Sequence, residues 1–533
     1  MTFPHRRSVR RRRVLLPAAV SALSLLPVLF STPAQAAAQA PDAARGAASE
    51  AGTAAYLASI RDDPALLRDF FRRMPKGGDL HNHLSGAATT EYLIELAGDD
   101  GLCIDTATMT AVAPPCGPGA RPAADARTDR GFREAIVRAW SMQDFPPGES
   151  GHDHFFATFG KFGEVTWRNP GKLLANVANK AAKQHQFYLE TMVTPASDGA
   201  KKLANEVGWH DDFATMHAKL LADGRLDELV AKARADADRA EAVFRRTDGC
   251  GTGHAKAGCD LTVRYIAQVS RGSTPERVFT QMALGMRLAE RDPRFVAVNL
   301  VQPEDWDTSL RNYHLQMRML HYLRGVYPGA HLTLHAGELW PGLVKPQALK
   351  FHIKEAVNIA GAERIGHGVD LVHEDDWQDT ARTMAKQEIA VEVPLTSNAQ
   401  ILGVRGAEHP FDTYRAYDVP VVLATDDEGV SRTDISHEYR YAAATYGLTY
   451  QELKDLARAS LEYAFLPGRS LWQGNPTEEG YQPQSACAGQ LPGSGHPAGA
   501  DCRSLLAASD KATVQWRQEA AFATFEQAVG TRH

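Results

Sequence analysis

Eight short strand-like segments, most of them apolar, punctuate this chain, and between most of them apolar positions return every three or four residues. The segments cover residues 78–83, 186–193, 261–269, 295–301, 331–335, 364–368, 389–394 and 419–425. Runs of that length predict buried strands, and the 3.6-residue spacing between them predicts helices. Helix boundaries are marked in several places. Ser273-Thr274-Pro275-Glu276 reads as a cap with Pro at the first helical position, followed by Val278, Phe279, Met282 and Met286. Residues 351–360 end at Gly361, a C-terminal glycine signal. Thr449 and Glu452 have capping-box spacing. Strands and helices that alternate eight times predict a (β/α)₈ TIM-type barrel over residues 75–470.

The segments outside that alternation are of three kinds. Before the first strand, residues 37 to about 50 are Ala- and Gly-rich and predict a flexible segment. Tyr56, Leu57, Ile60, Leu66, Leu67, Phe70 and Phe71 then predict a short helical arm that ends at Met74-Pro75 and could cover the barrel or form a homodimer contact. Residues 85–185 exceed one crossover helix and imply insertions after strand 1. Residues 471–533 form a turn-rich tail followed by a helix with Trp516, Phe522 and Phe525 on its apolar face.

Composition and charge add a compartment. Arg6, Arg7 and Arg10 to Arg13 precede an apolar stretch over 14–30 and the small-residue site Ala34-Gln35-Ala36. Residues 1–36 therefore read as a secretory signal peptide, and the mature protein as secreted and free of the membrane. Arg11-Arg12-Arg13 also loosely fits a twin-arginine route. Loss of the six arginines takes the formal net charge from −6 to −12, which argues against nucleic acid as a partner. An even set of six cysteines in an exported chain suggests disulfides. They lie as neighbouring couples in loop-like sequence, so the expected bonds are Cys103–Cys116, Cys250–Cys259 and Cys487–Cys502, the last stapling the tail.

The candidate chemistry sits at the ends of strands. His81-Asn82-His83 closes the first, and two residues of spacing put both imidazoles on one strand face. His335-Ala336-Gly337-Glu338 closes the fifth, Gly366-His367-Gly368 the sixth, and Thr425-Asp426-Asp427 the eighth. His81, His83, His335 and Asp426 are the donor types that hold one Zn²⁺ and leave a position for water. Glu338 has a ready role as a general acid, since burial would keep it protonated. His367 reads as a positioned base, with a further imidazole ligand as the alternative. Of the adjacent acids Asp426 and Asp427, one can ligate and orient the water while the other meets the substrate. A second His-x-His, His152-Asp153-His154, lies inside the insertion and reads as structural or substrate-gating. Together these features point to metal-assisted hydrolysis of a small polar substrate.

These motifs, with Thr396-Ser397-Asn398 after the seventh strand, resemble the adenosine deaminase family of the amidohydrolase superfamily over roughly residues 74–465. Met74-Pro75-Lys76-Gly77-Gly78, the export signal and the cysteines resemble its secreted, growth-factor-like members and their bacterial relatives. The resemblance implies one Zn²⁺ on His81, His83, His335 and Asp426, which activates the water that attacks purine C6. It implies that Glu338 protonates N1, His367 assists water deprotonation and Asp427 meets N7, converting adenosine or 2′-deoxyadenosine to the inosine product and ammonia. Gly337 is expected among the substrate contacts as well. At two positions the chain departs from the family. Ser85 stands where an acid commonly meets the ribose 5′-hydroxyl, and Gln302, followed by Pro303, stands where a glycine N–H commonly meets purine N3. Both remain candidate substrate contacts, and both leave another 6-aminopurine, such as adenine or a modified nucleoside, as an alternative substrate. A non-catalytic nucleoside-binding protein on the same barrel is the alternative from another class. The presence of both Glu338 and His367 weighs against it.

Overall fold

The computed structural model describes residues 40–530 except 147 and 491–498. Eight parallel strands pair in chain order: β1 (Gly77–His83), β2 (Gln186–Val193), β3 (Thr262–Ser270), β4 (Phe295–Val301), β5 (His331–Ala336), β6 (Arg364–His367), β7 (Ala390–Val393) and β8 (Val421–Leu423). Each lies within two residues of the segment expected from hydrophobic runs. Helices pack outside, so the strands are buried on both faces, which is why they read as continuous apolar runs. β8 returns to β1 through a single bridge between Asn82 and Asp426. There the Asp426 N–H donates to the His81 carbonyl at 2.9 Å, and the Asp426 carbonyl accepts from the His83 N–H at 3.2 Å. The result is a (β/α)₈ barrel whose seam runs through two of the chemical motifs.

The barrel floor is polar. Arg364 is 1% exposed and donates to both Glu190 and Glu392, while the Phe465 ring lies 3.8 Å from its guanidinium. Helix starts follow the expected signals: Pro275–Arg291 begins with Pro at its first turn, and Tyr450–Glu462 carries the Thr449/Glu452 capping box. His352–Glu355 loosens into a π-helical turn, Ala356–Ala360, which Gly361 ends at φ +73°.

Between β1 and β2 lie the helices Thr90–Asp99, Arg130–Trp140, Gly151–Arg168 and Pro170–Lys183, and a small antiparallel sheet of Cys103–Asp105, Thr110–Val112 and Ala120–Pro122. A second excursion, unforeseen from spacing, separates β2 from β3 through Ser197–Val207, Phe213–Leu221 and Arg225–Thr247. The three disulfides are Cys103–Cys116, Cys250–Cys259 and Cys487–Cys502.

The expectation of a flexible segment up to about residue 50 is corrected. The chain is helical over Ala40–Ser59 and again over Pro64–Arg73. Alanine-rich sequence has high helix propensity, and here the helix also finds a partner. A Cβ on Gly52 would sit 3.2 Å from Gly530 Cα, so the two helices approach backbone to backbone along Asp510–Gly530. Lys454 joins Glu50 and Glu526 at 2.8 and 2.7 Å across that contact. The expected signal peptide, residues 1–36, lies outside the described residues. Among the described residues no helix is long and apolar enough to cross a membrane.

Candidate metal centre and active site

The C-terminal ends of β1, β5, β6 and β8 bring His81, His83, His335, Glu338, His367, Asp426 and Asp427 together, each no more than 8% exposed. Nitrogen or oxygen atoms of His81, His335, His367 and Asp426 lie within 4.8 Å of one another, as do those of His83, Asp426 and Asp427. Proximity alone therefore leaves His83 and His367 both near enough to be ligands. Gly366 makes the crowding possible, since a Cβ there would lie 2.6 Å from His81 Cε1. His367 and Asp426 hold left-handed backbone, φ +67° and +58°, a conformation that costs about 1–3 kcal/mol for a non-glycine residue and clusters at functional sites.

Hydrogen-bond directions tell what this cluster can hold. His81 Nδ1 lies 2.7 Å from Glu392 Oε2, an acceptor, so that nitrogen carries hydrogen. The backbone N–H of His335 donates to Asn299 Oδ1 at 2.9 Å, which fixes the amide's orientation. The same oxygen is 2.9 Å from His335 Nδ1, which therefore also carries hydrogen. In their neutral forms both Nε2 atoms present lone pairs, and they lie 3.1 Å apart in a site shielded from water. Two facing lone pairs repel unless positive charge sits between them. In the metal-free protein a proton can serve. Burial opposes it, but the Asp426 and Glu392 carboxylates push the His81 imidazole up to about 10. A divalent cation serves better, and three imidazoles with one carboxylate suit zinc. Asp426 lies 3.5 Å from His81 Nε2 and 3.2 Å from His83 Nε2, and its other oxygen accepts from Ser397 Oγ at 2.6 Å. His83 Nδ1 meets Gln268 Oε1 at 2.7 Å. The residues present fit a metal, and each imidazole is oriented by a partner behind it.

Around the cluster, burial separates the acids. Burial, and then the charges of Asp426 and Glu304, hold Glu338 well above the usual carboxylate range, so it keeps its proton. Burial outweighs the neighbouring His83 and, with Asp426 beside it, pushes Asp427 up to about 8. Asp427 Oδ1 and His367 Nε2 are buried and make no hydrogen bond to the described protein. Glu338 Oε1 lies 3.6 Å from His367 Nδ1. The turn that carries Glu338 is gripped from below: Glu304 accepts the N–H groups of Gly337 and Glu338 at 3.2 and 2.9 Å, and is itself held by His352 Nδ1.

The remaining expected contacts have other neighbours. Gly337 adopts φ +77°, and a Cβ there would lie 2.5 Å from Asp370 Oδ1; with its N–H committed to Glu304, its place is in the turn. Gln302, at φ +80°, accepts from the Gly272 N–H at 3.1 Å and joins the loops after β3 and β4. Ser85 is half-buried in the short helix Leu84–Ala87 after β1.

The other His-x-His has a separate task. His152 Nε2 meets Asp305, in the loop after β4, at 3.0 Å, and its ring packs on Phe156. His154 bonds Glu149 and the carbonyls of Arg138 and Ser141. Just upstream, the Met142 N–H donates to the Val430 carbonyl after β8, and Gly151 lies against the Gln400 carbonyl after β7. Met142, Gly151 and His152 thus tie the insertion to the loops after β8, β7 and β4, at the same end of the barrel as the cluster.

Sequence reasoning missed Asn299, Glu392, Gln268 and Glu304. The first three interrupt apolar strands, and that interruption is the signal that could have found them. Glu304 lies in a loop and has no such signal.

A family model described as adenosine deaminase matches residues 167–471. The chain is 39% identical over 147 residues to an adenosine deaminase of Salmonella dublin, covering 27% of this chain and 41% of that one. It is 37% identical over the same length to an adenosine deaminase of Escherichia coli strain SE11, with the same shares covered. The matched stretch thus spans about two fifths of the curated relatives' length. Among solved structures it is similar to an Arabidopsis ADAL complexed with IMP, at 21% identity and TM-score 0.48 over 74% of this chain and 94% of that one. An adenine deaminase of Arthrobacter aurescens aligns at 14% identity and TM-score 0.45, over 73% and 94%.

Proposed function

The chain belongs to the adenosine deaminase family, and we propose that it is a secreted, zinc-dependent deaminase that converts adenosine and 2′-deoxyadenosine, with water, to inosine or 2′-deoxyinosine and ammonia. One observation carries this reading: a buried carboxyl group, Glu338, stands beside a His/Asp cluster in which two imidazole Nε2 atoms face each other at 3.1 Å. Proton donor and metal must meet on one small substrate for that pairing to serve chemistry.

His81, His83, His335 and Asp426 would hold the zinc, which when bound lowers the pKa of a coordinated water to near neutrality. Protonated Glu338 gives its proton to purine N1, which draws electrons from C6 and opens it to attack. Asp427, protonated below about 8, donates a hydrogen bond to N7 and fixes the ring. His367 Nε2 meets the oxygen that adds at C6. The C6–N bond then breaks and the amino group leaves as ammonia. Residues 75–470 form the catalytic unit in this reading, with 37–74 and 471–533 packed around it. Export is supported by the amino-terminal pattern of residues 1–36 and by three disulfides, which persist in oxidising compartments.

Ser85 brings no carboxylate to the sugar, and Gln302 is engaged with Gly272. These two observations favour, as the second reading, a deaminase of another 6-aminopurine. The test follows the absorbance of purified protein with adenosine, before and after chelation and zinc return. Loss of the adenosine band, stopped by chelator and restored by Zn²⁺, is the expected result. Turnover of adenine or a modified nucleoside but not adenosine would transfer the assignment to the second reading. A zinc-loaded protein inert toward every 6-aminopurine would end the deaminase reading.

A further inference from the structure

We infer that His409 and Asn398 fix the tautomer of His367, so that His367 presents an N–H at Nε2, acting as a hydrogen-bond donor and as neither metal ligand nor base. The inference rests on the deaminase reading for its catalytic meaning, but not for its geometry.

The argument starts at a backbone group that cannot reverse. Phe411 opens the helix Phe411–Ala416, and its N–H donates to His409 Nδ1 at 3.1 Å. Pro410 between them has no N–H of its own to compete. His409 Nδ1 must therefore be the lone-pair nitrogen. The ring is 3% exposed, and burial holds it down to about 3, so it is neutral and its hydrogen sits on Nε2. That nitrogen lies 2.9 Å from the Asn398 atom placed as Nδ2, and the atom placed as Oδ1 lies 2.8 Å from His367 Nδ1. An N–H cannot face an NH₂, so the two ends of the amide, alike in shape and size, exchange places: the oxygen accepts from His409 Nε2 and the NH₂ donates to His367 Nδ1. His367 Nδ1 accepts, and the remaining ring hydrogen belongs to Nε2.

The contrast with the other imidazoles is the point. Behind His81 stands a carboxylate and behind His335 an amide oxygen pinned by a backbone N–H, both acceptors, so those rings turn lone pairs to the cluster. Behind His367 stands a donor. A cation would be repelled by its N–H, whereas oxygen gaining negative charge during addition at C6 would be stabilised by it. Of the two imidazoles that proximity left as candidates, His83 is thus the ligand.

The test has readouts independent of turnover. Nitrogen-15 NMR of histidine-labelled protein should give His367 a pyridine-type Nδ1 and a pyrrole-type Nε2. H367A should still bind one equivalent of zinc against a competing chelator, and H83A should not. In H409L the amide is released, the His367 tautomers should mix, and kcat should fall by about 10²-fold, the cost of one lost donor, with KM and zinc content unchanged. Hydrogen on His367 Nδ1 in the wild-type protein, or loss of zinc in H367A, would overturn the inference. So would an H409L protein with both the tautomer and kcat of the wild type. A protein inert toward every aminopurine would sink the proposed reaction while leaving the NMR and zinc results to judge the tautomer.

Discussion

Glu338 and Asp426 are both buried carboxylic side chains less than a barrel's width apart, yet they take opposite protonation states. Asp426 is surrounded by imidazoles and a hydroxyl, and its hydrogen bonds to His81 and His83 overcome burial and hold it well below the usual range. Glu338 faces Asp426 and Glu304 and keeps its proton. One kind of residue thus supplies a ligand and an acid. Replacement of Glu338 by Gln should lower kcat by about 10²–10⁴-fold, the usual worth of acid–base catalysis, with zinc content unchanged. Because the active form is the protonated one, wild-type activity should fall on the alkaline side as Glu338 ionises. Unchanged kcat in E338Q would remove Glu338 from the chemistry. The donors themselves were legible in the chain because they sit in short consecutive motifs at strand ends. The partners behind them were not: Glu392 reaches His81 from β7, 311 residues along the chain, and no local pattern encodes that meeting.

Among the elements, the insertion after β1 reaches the loops at the end of the barrel that holds the cluster. Met142 meets the loop after β8, and the neighbours Gly151 and His152 meet the loop after β7 and Asp305 after β4. A hydrogen bond of this kind is worth about 0.5–1.5 kcal/mol, so D305A should raise KM for adenosine about fivefold and leave kcat near the wild-type value. Steady-state kinetics will decide, and an unaltered KM would mean the insertion does not govern entry. Most of the barrel strands were readable because burial on both faces leaves a largely apolar run. The excursion between β2 and β3 was not, because its helices have ordinary amphipathic spacing and nothing in that spacing says they are additions to a barrel. The helix Ala40–Ser59 was missed for a related reason: what orders it is Asp510–Gly530, at the other end of the chain.

At the scale of the molecule, the interior of the barrel is held by charge as much as by apolar packing. Arg364 joins Glu190 on β2 to Glu392 on β7, and Glu392 goes on to His81 on β1. Removing one partner of a buried ion pair leaves the others uncompensated, at about 3–5 kcal/mol. R364A should therefore lose that much in a urea unfolding experiment. A loss under about 1 kcal/mol, the worth of an exposed pair, would mean the three groups are wetter than their burial suggests.

The seam of the ring has a consequence for biosynthesis. Its ligands come from opposite ends of the barrel sequence, residue 81 and residue 426, and the backbone of Asp426 is itself the bridge that closes β8 on β1. A nascent or truncated chain that ends before β8 therefore owns three imidazoles but no finished site. The ion can be captured only after the last strand has been made and seated, so its retention reports that the whole barrel has been delivered.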